Sequence, residues 1–407
     1  IYKSNKEGYR VWMQCSLCKS ESAEFLNLGS QPLANKYPTR EQFAKEDFFP
    51  LVTYFCTRCK NVQLGTIVSR ERMFEDYYYL SSVNQGLVRH FNALAAKLAG
   101  RKLVVDIGSN DGILLKPLKE LGVRAVGVEP SINVSKIAND AGLETITSFF
   151  NTETAEKIKE KYGPADTVAM SSVFTHVENP HQCIEDVKAL MKDDGDFIVE
   201  VEYIGHILDT TQFERFYLDR IFYYSLTSLK NLFEMHGMYI ADVEKVEMHG
   251  ISLCVTARKQ GRGAPTQRVA TLLQEEEATL TLPRLLTFKT QVDSYLDSFR
   301  DKLLEYQSQG LRVGGYGAPA RVATICNYGK IGPELIPFIV DDSPLKQNRF
   351  SPGTHIPIVP KKYLDTLAEK GPEVLVVFAF EYLDDIKKKT EGRGYRYLIP
   401  IPPREVL

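Results

Sequence analysis

Val104-Val105-Asp106-Ile107-Gly108-Ser109-Asn110-Asp111-Gly112 decides the fold. An apolar run ends on an acid, a glycine turn follows, and a helical pattern opens behind it from Ile113 to Leu121. A dinucleotide site would want Gly-x-Gly-x-x-Gly, so that backbone can approach a pyrophosphate at a helix N-terminus. Here Ser109 stands between Gly108 and Asn110, and the strand ends in Asp106. A carboxylate at that point suits a ligand that presents an ammonium. The next apolar strand, Ala125 to Val128, ends on Glu129, about 21 residues beyond Gly108. An acid at that distance can accept both hydroxyls of a ribose. An ammonium and an adenosine ribose without a diphosphate describe S-adenosylmethionine (SAM).

Working outward, Thr167–Met170 and Asp196–Val201 are further strand-like runs separated by helix-length segments. Strands alternating with helices predict a parallel sheet covered on both faces, an α/β fold. Upstream, Leu87, Phe91, Leu94 and Leu98 have helical spacing. Residues 1–70 are rich in turn signals and show little sustained periodicity. The basic, Gly-rich stretch 257–266 reads as a linker. A long amphipathic helix follows (Leu285, Phe288, Val292, Tyr295, Phe299, Leu303, Tyr306), then the strand candidates Leu311–Tyr316, Leu335–Val340 and Glu373–Ala379. The expected division is a lobe over 1–70, a central domain over 71–257 and a smaller Rossmann-like α/β domain over 267–407.

Composition narrows the class. The 407 residues are 43% hydrophobic and 25% charged, which excludes wholesale disorder. A net charge of −2 argues against a nucleic-acid or membrane-surface protein that relies on bulk positive charge. No apolar run approaches the roughly 18 residues a membrane span needs, and Ile1–Lys6 shows no signal-peptide core. The expectation is a cytoplasmic protein, monomeric or a small homo-oligomer, acting on a small molecule.

Cys15-Ser-Leu-Cys18 and Cys56-Thr-Arg-Cys59 are two chelating pairs. In each, a tight turn can aim both sulfurs at one ion, and together they complete the tetrahedral thiolate shell that zinc prefers. Four thiolates leave no vacant position, so the role is structural. Cys183, Cys254 and Cys326 are isolated and read as core residues.

The chain resembles, over nearly its whole length, the nucleotide-sugar C-methyltransferases: class I SAM-dependent enzymes with an N-terminal zinc-binding lobe and a C-terminal Rossmann-like domain. The matching stretches are the paired cysteines, Tyr77-Tyr-Tyr79-Leu-Ser81-Ser82, Asp106–Gly112, Val173-Phe-Thr-His176-Val, Phe222-Tyr-Tyr-Ser225-Leu-Thr, His249-Gly250-Ile-Ser252-Leu, Gly315-Tyr-Gly317-Ala318-Pro-Ala-Arg321 and Pro352-Gly353-Thr-His355-Ile-Pro-Ile. The resemblance implies that Asp106, Gly108, Asn110, Gly112, Glu129 and Ser171 hold the cofactor, with Phe149 in the stretch that walls the adenine. It implies removal of a proton from carbon 3 of a 4-keto sugar, giving an enolate that takes the methyl group. The family signature Tyr-His-Glu-His is here Tyr217-Leu218-Asp219-Arg220. Both histidines are gone, and Arg220 cannot accept a proton at neutral pH.

Two readings of the acceptor follow. In one, carbon methylation persists and His176 is the best base, with Tyr77 or Tyr79 assisting and Tyr217 retained. In the other, oxygen or nitrogen is methylated, and Asp219 and Arg220 recognise a carboxylate or phosphate. The resemblance places His249, Ser252, Gly315, Gly317 and Arg321 around the substrate. The turn at Gly315–Arg321 has amides and a cation suited to phosphate, with Asp341 and Asp342 at the next strand end. His181, His206 and His236 show no partners in sequence. Glu200 and Glu202 point to one face of a strand, where solvent or an ion pair is a commoner explanation than paired-carboxylate catalysis. Gln274–Glu277 reads as a solvated helix face.

Overall fold

The computed structural model describes residues 3–4, 9–11, 14–69, 73, 80–248, 250–367 and 371–406. Tyr77, Tyr79 and His249 lie outside the described residues.

The wholly buried run Leu103–Ile107 is an inner strand of a seven-stranded sheet. From edge to edge its strands are Met238–Glu247, Ile251–Lys259, Met191–Glu202, Ala165–Ser171, Leu103–Ile107, Arg124–Val128 and Thr145–Ile146. Five strands run parallel, and Ile251–Lys259 enters antiparallel as one arm of a terminal hairpin. Burial on both faces explains why the inner strands read as continuous apolar runs rather than alternating ones. Helix Gln85–Lys97 covers one face, packing Leu87, Phe91 and Leu94 on Val104, Ala169 and Ile198. Asn84 caps it by accepting from the N–H groups of Gly86 and Leu87.

The first 70 residues hold more regular structure than their composition suggests. Ala23–Pro32, Phe48–Phe55 and Val62–Leu64 form an antiparallel sheet, completed by Phe222–Tyr223 from the central region. Phe49, Leu51, Thr53 and Phe55 alternate inward along one strand. Downstream, a six-stranded sheet runs Ile358–Val359, Ile339–Val340, Val313–Tyr316, Val374–Val377, Arg396–Pro400, Pro403–Val406, parallel except for the last. The expected strand Leu335–Val340 shrinks to Ile339–Val340, because Pro337 has no N–H to give a ladder. The long amphipathic helix spans Leu282–Ser308 without a break.

The first and last sheets share one core: Phe25, Leu26 and Phe49 pack with Phe288, Val292 and Val322. Their loops also interlock. The Tyr37 hydroxyl donates to the Ala318 carbonyl at 2.8 Å, the Gly353 N–H donates to Glu46 at 3.0 Å, and Phe43 stacks on His355 at 3.6 Å. Helix Gln267–Thr279, which follows the exposed turn 260–266, returns to the central core through Val269 and Leu272. Gln274, Glu275 and Glu277 are exposed, as a solvated face requires, but Glu276 is not. It is fully buried, accepts the N–H groups of Leu226 and Thr227 at 2.7 Å each, and supplements the Ser225 cap of helix Leu226–Met235. Among the described residues no helix is long and apolar enough to cross a membrane.

Candidate active site and zinc centre

In open α/β sheets ligands gather at the carboxyl ends of the strands. Asp106 stands there, 3% exposed, with no hydrogen bond from any described residue. Burial first, then the charges of Glu200 and Glu129, push its carboxyl up to about 7. Gly108 follows at φ 74°, and a Cβ there would fall 2.2 Å from Val173 Cγ2, so only glycine fits. Asn110 takes φ 50°, and its side-chain oxygen accepts the Ser81 N–H at 2.9 Å. Asp111 accepts the Ser82 N–H at 3.1 Å. The segment just after the tyrosine-rich stretch is therefore tied down on the turn.

Glu129 occupies the tip of the neighbouring strand, where burial raises its carboxyl. Its oxygens accept the N–H groups of Asn110 at 3.1 Å and Ser131 at 2.9 Å. Each carboxylate oxygen has a second lone pair, so both can still receive a ribose hydroxyl. The turn offers no cradle to a diphosphate. Gly108 and Ser109 both donate to the Val128 carbonyl, Asn110 to Glu129, and Gly112 to the Ser109 carbonyl. The residues thus fit an ammonium and a ribose. Ser171 ends the strand on the other side of Asp106, and Phe149 is partly exposed beyond Thr145–Ile146.

Further along the edge lies a chain of opposite charges. Glu202 accepts Arg215 at 3.0 Å and pairs with Arg220, whose guanidinium lies 4.9 Å over the Tyr217 ring. Arg215 also reaches Glu381 at 3.3 Å, and Glu381 pairs with Arg321. So Arg321 of the last domain and Arg220 of the central one are linked through three intervening side chains. Burial pushes the Tyr217 hydroxyl up to about 12. His176 is half-buried, and its Nδ1–H donates to the Asp219 carbonyl. Burial, then the Arg220 charge, hold the imidazole down to about 4. The Asp219 carboxyl is raised by burial and accepts Asn35 Nδ2–H at 2.8 Å. Ser252 pairs with Glu202 across strands and spends its hydroxyl on the Met248 carbonyl.

The C-terminal turn has less freedom than its sequence suggests. A Cβ on Gly315 would lie 2.8 Å from Ile339, and one on Gly317 2.5 Å from Ala379, so both glycines are packing requirements. Gly317 donates to the Val340 carbonyl and Ala318 to the Asp341 carboxylate. Arg321 lies over the Phe380 ring at 4.4 Å besides meeting Glu381. The amides and cation expected to hold phosphate are therefore largely engaged within the fold.

The four predicted thiols converge: Cys15, Cys18, Cys56 and Cys59 place their sulfurs within 4.8 Å of one another. Cys15–Cys59 and Cys18–Cys56 are each 3.5 Å apart, close to the edge of a tetrahedral sulfur shell around zinc. The two knuckles share one backbone plan. Lys19 donates back to the Cys15 carbonyl and Lys60 to that of Cys56, both lysines at positive φ. Sequence reading missed what supports them. His181 binds the Leu17 carbonyl at 3.0 Å and His236 at 2.8 Å, and His236 binds Glu185 at 2.6 Å. These residues are far apart in the chain, and no local pattern signals the relay.

The strand order and the acid-tipped turn define a class I, Rossmann-like methyltransferase. Family models match in three consecutive stretches: a "Putative zinc binding domain" over residues 15–74, a methyltransferase domain over 72–243 and a C-methyltransferase C-terminal domain over 247–402. C-methyltransferase NovU of Streptomyces niveus is 30% identical over 408 residues, spanning 97% of this chain and 96% of that protein. The mitochondrial ubiquinone biosynthesis O-methyltransferase of Arabidopsis thaliana is 29% identical over 122 residues, 28% of this chain and 38% of that one. The solved magnesium protoporphyrin IX methyltransferase of Synechocystis, with bound S-adenosylhomocysteine (SAH), is 18% identical with a TM-score of 0.35, covering 47% of this chain and 93% of that one. The chain belongs to the C-methyltransferase family: it is a SAM-dependent methyltransferase with an N-terminal zinc-binding lobe.

Proposed function

We propose that the enzyme methylates a carbon of a nucleotide-linked keto-deoxysugar. The observation that carries this is the match to NovU along 97% of the chain, which includes the sheet edge where Arg220, lying over Tyr217, meets Glu202. Bound SAM supplies an electrophilic methyl group. Asp106 holds its ammonium and Glu129 its ribose; Ser171, Asn110 and the glycine turn complete that side, with Phe149 beside the adenine. The sugar enters beside Tyr217, and the last domain closes over its nucleotide end near Ser252 and Arg321.

Carbon methylation needs a base next to the sugar carbonyl. His176 spends its Nδ1–H on the Asp219 backbone and is held to about 4, so it positions the 217–220 segment rather than accepting the proton. The Asp219 carboxylate fits better. Asn35 fixes one oxygen, burial raises its basicity, and the proton it takes leaves an enolate whose charge Arg220 stabilises. The three matched stretches are read as the zinc lobe, the methyl-transfer domain and the nucleotide-holding domain. Zinc thiolates suit the reducing cytoplasm, with a monomer or small homo-oligomer as the working unit.

The test is turnover of a nucleotide-linked 4-keto-deoxysugar in deuterated water. Deuterium entering beside the carbonyl, and methyl appearing on that carbon, support the reading, and Asp219→Asn slows both by about 10²-fold or more. Methyl on oxygen or nitrogen without deuterium uptake contradicts it.

A further inference from the structure

Of the two acids expected to form an ion pair, Glu202 does so with Arg215 and Arg220. Among the described residues Glu200 has no guanidinium partner; its one charged-group contact is His90, a cation only when protonated. It lies two residues before the strand end and is fully buried. Alternation places it on the face that carries Asp106 and Ser171. The register sets Asp106 level with Ala169 and Ile198, and Ser171 level with Glu200. Asp106, Ser171 and Glu200 thus step across three adjacent strands at the carboxyl end of the sheet.

One oxygen of Glu200 meets His90 Nε2 at 2.7 Å, from the helix that covers this face. The other oxygen is buried with no hydrogen-bond partner among the described residues, and so is the Ser171 hydroxyl. Its polar neighbour is the Cys254 thiol, opposite on the next strand, which burial and the Glu200 charge keep neutral. A buried carboxylate oxygen left unspent is costly, and a second acid beside it raises the cost. Glu200 is the leading charge acting on Asp106. What this corner lacks is a permanent cation, since His90 is charged only when protonated.

We infer that Glu200 is a further residue of the cofactor site, its free carboxylate oxygen facing the sulfonium of SAM beside Ser171 while Asp106 takes the ammonium. This rests on the methyl-donor reading of the Asp106 turn. The methyl-bearing sulfur has to face the acceptor edge, and Glu200 lies between Asp106 and that edge, where Glu202, Arg220 and Tyr217 gather. The arrangement separates donor from product: once the methyl leaves, the sulfur is neutral, Glu200 loses its partner, and SAH is released more readily than SAM.

Calorimetric titration of the full-length protein with SAM and with SAH tests this. Glu200→Gln keeps the shape and an acceptor for His90 but removes the charge. It weakens SAM about tenfold or more and SAH less than about twofold. Glu200→Asp keeps the charge but draws it back by one methylene, so SAM weakens more than SAH by a smaller ratio. Should the Gln variant not fold, the Asp variant decides alone. Equal weakening of both ligands, or of neither, overturns the assignment. Wild-type protein that binds neither ligand overturns the methyl-donor reading instead, which keeps the two failures apart.

Discussion

If Asp106 holds the cofactor's ammonium as proposed, cofactor affinity is expected to depend on pH. Burial, then the charges of Glu200 and Glu129, push the Asp106 carboxyl from 3.8 up to about 7. That displacement disfavours the ionised form by roughly 4 kcal/mol. The sign follows from the direction: with its folded value raised, this group favours the folded free enzyme most below about pH 4, and that contribution is lost as pH rises through about 7. A ligand that brings an ammonium reverses the balance by stabilising the carboxylate. Below the free-enzyme value, binding must then expel a proton, and affinity falls about tenfold per pH unit; above it, affinity is flat. Calorimetry of SAH binding therefore shows about a tenfold gain between about pH 6 and about pH 8, with proton release at the lower pH read from buffers of different ionisation heat. Asp106→Asn binds more weakly, with the slope gone. A slope that persists in Asp106→Asn, or a wild-type affinity flat across that range, refutes the reasoning.

Other perturbations probe separate parts of the account. Gly108→Ala puts a Cβ 2.2 Å from Val173 Cγ2 at φ 74°; thermal unfolding registers a loss of about 1–3 kcal/mol, and calorimetry a loss of SAH binding. Glu276→Ala leaves the Ser225 cap of helix Leu226–Met235 in place but strips the N–H groups of Leu226 and Thr227 of their acceptor, costing about 2–3 kcal/mol in denaturant titration with zinc content unchanged. Stripping zinc with a chelator unfolds the knuckles and, through the core that the first sheet shares with Phe288 and Val292, lowers the melting temperature of the whole chain rather than of one lobe. His181→Ala frees the Leu17 carbonyl, and chelator removes zinc faster than from wild type at equal temperature.

What the sequence disclosed follows the range of the forces involved. Asp106, Gly108 and Glu129 were legible because a strand, a turn and a strand are local, and the two Cys pairs because chelation needs fixed spacing. The alternation of Phe49 to Phe55 was present in sequence but short, and it lay among turn residues that hid it. The glycines at 315 and 317 read as a phosphate cradle, yet Ile339 and Ala379 explain them, since a missing side chain looks the same whether ligand or protein needs the room. Glu276, the His181–His236 relay and the Arg321–Glu381–Arg215–Glu202–Arg220 chain depend on side chains far apart in sequence. No periodicity records such pairings. The loss of the family histidines at 218 and 220 was plain, but only the folded chain displays Asp219 fixed by Asn35 beside His176.

A crystal structure with SAH tests the central claim most directly. The account predicts density across the tips of two adjacent strands, with the amino group against Asp106, the ribose hydroxyls against Glu129 and the sulfur toward Ser171. Density for the ligand at the Gly315–Arg321 turn, or Asp106 left without contact to it, contradicts the account.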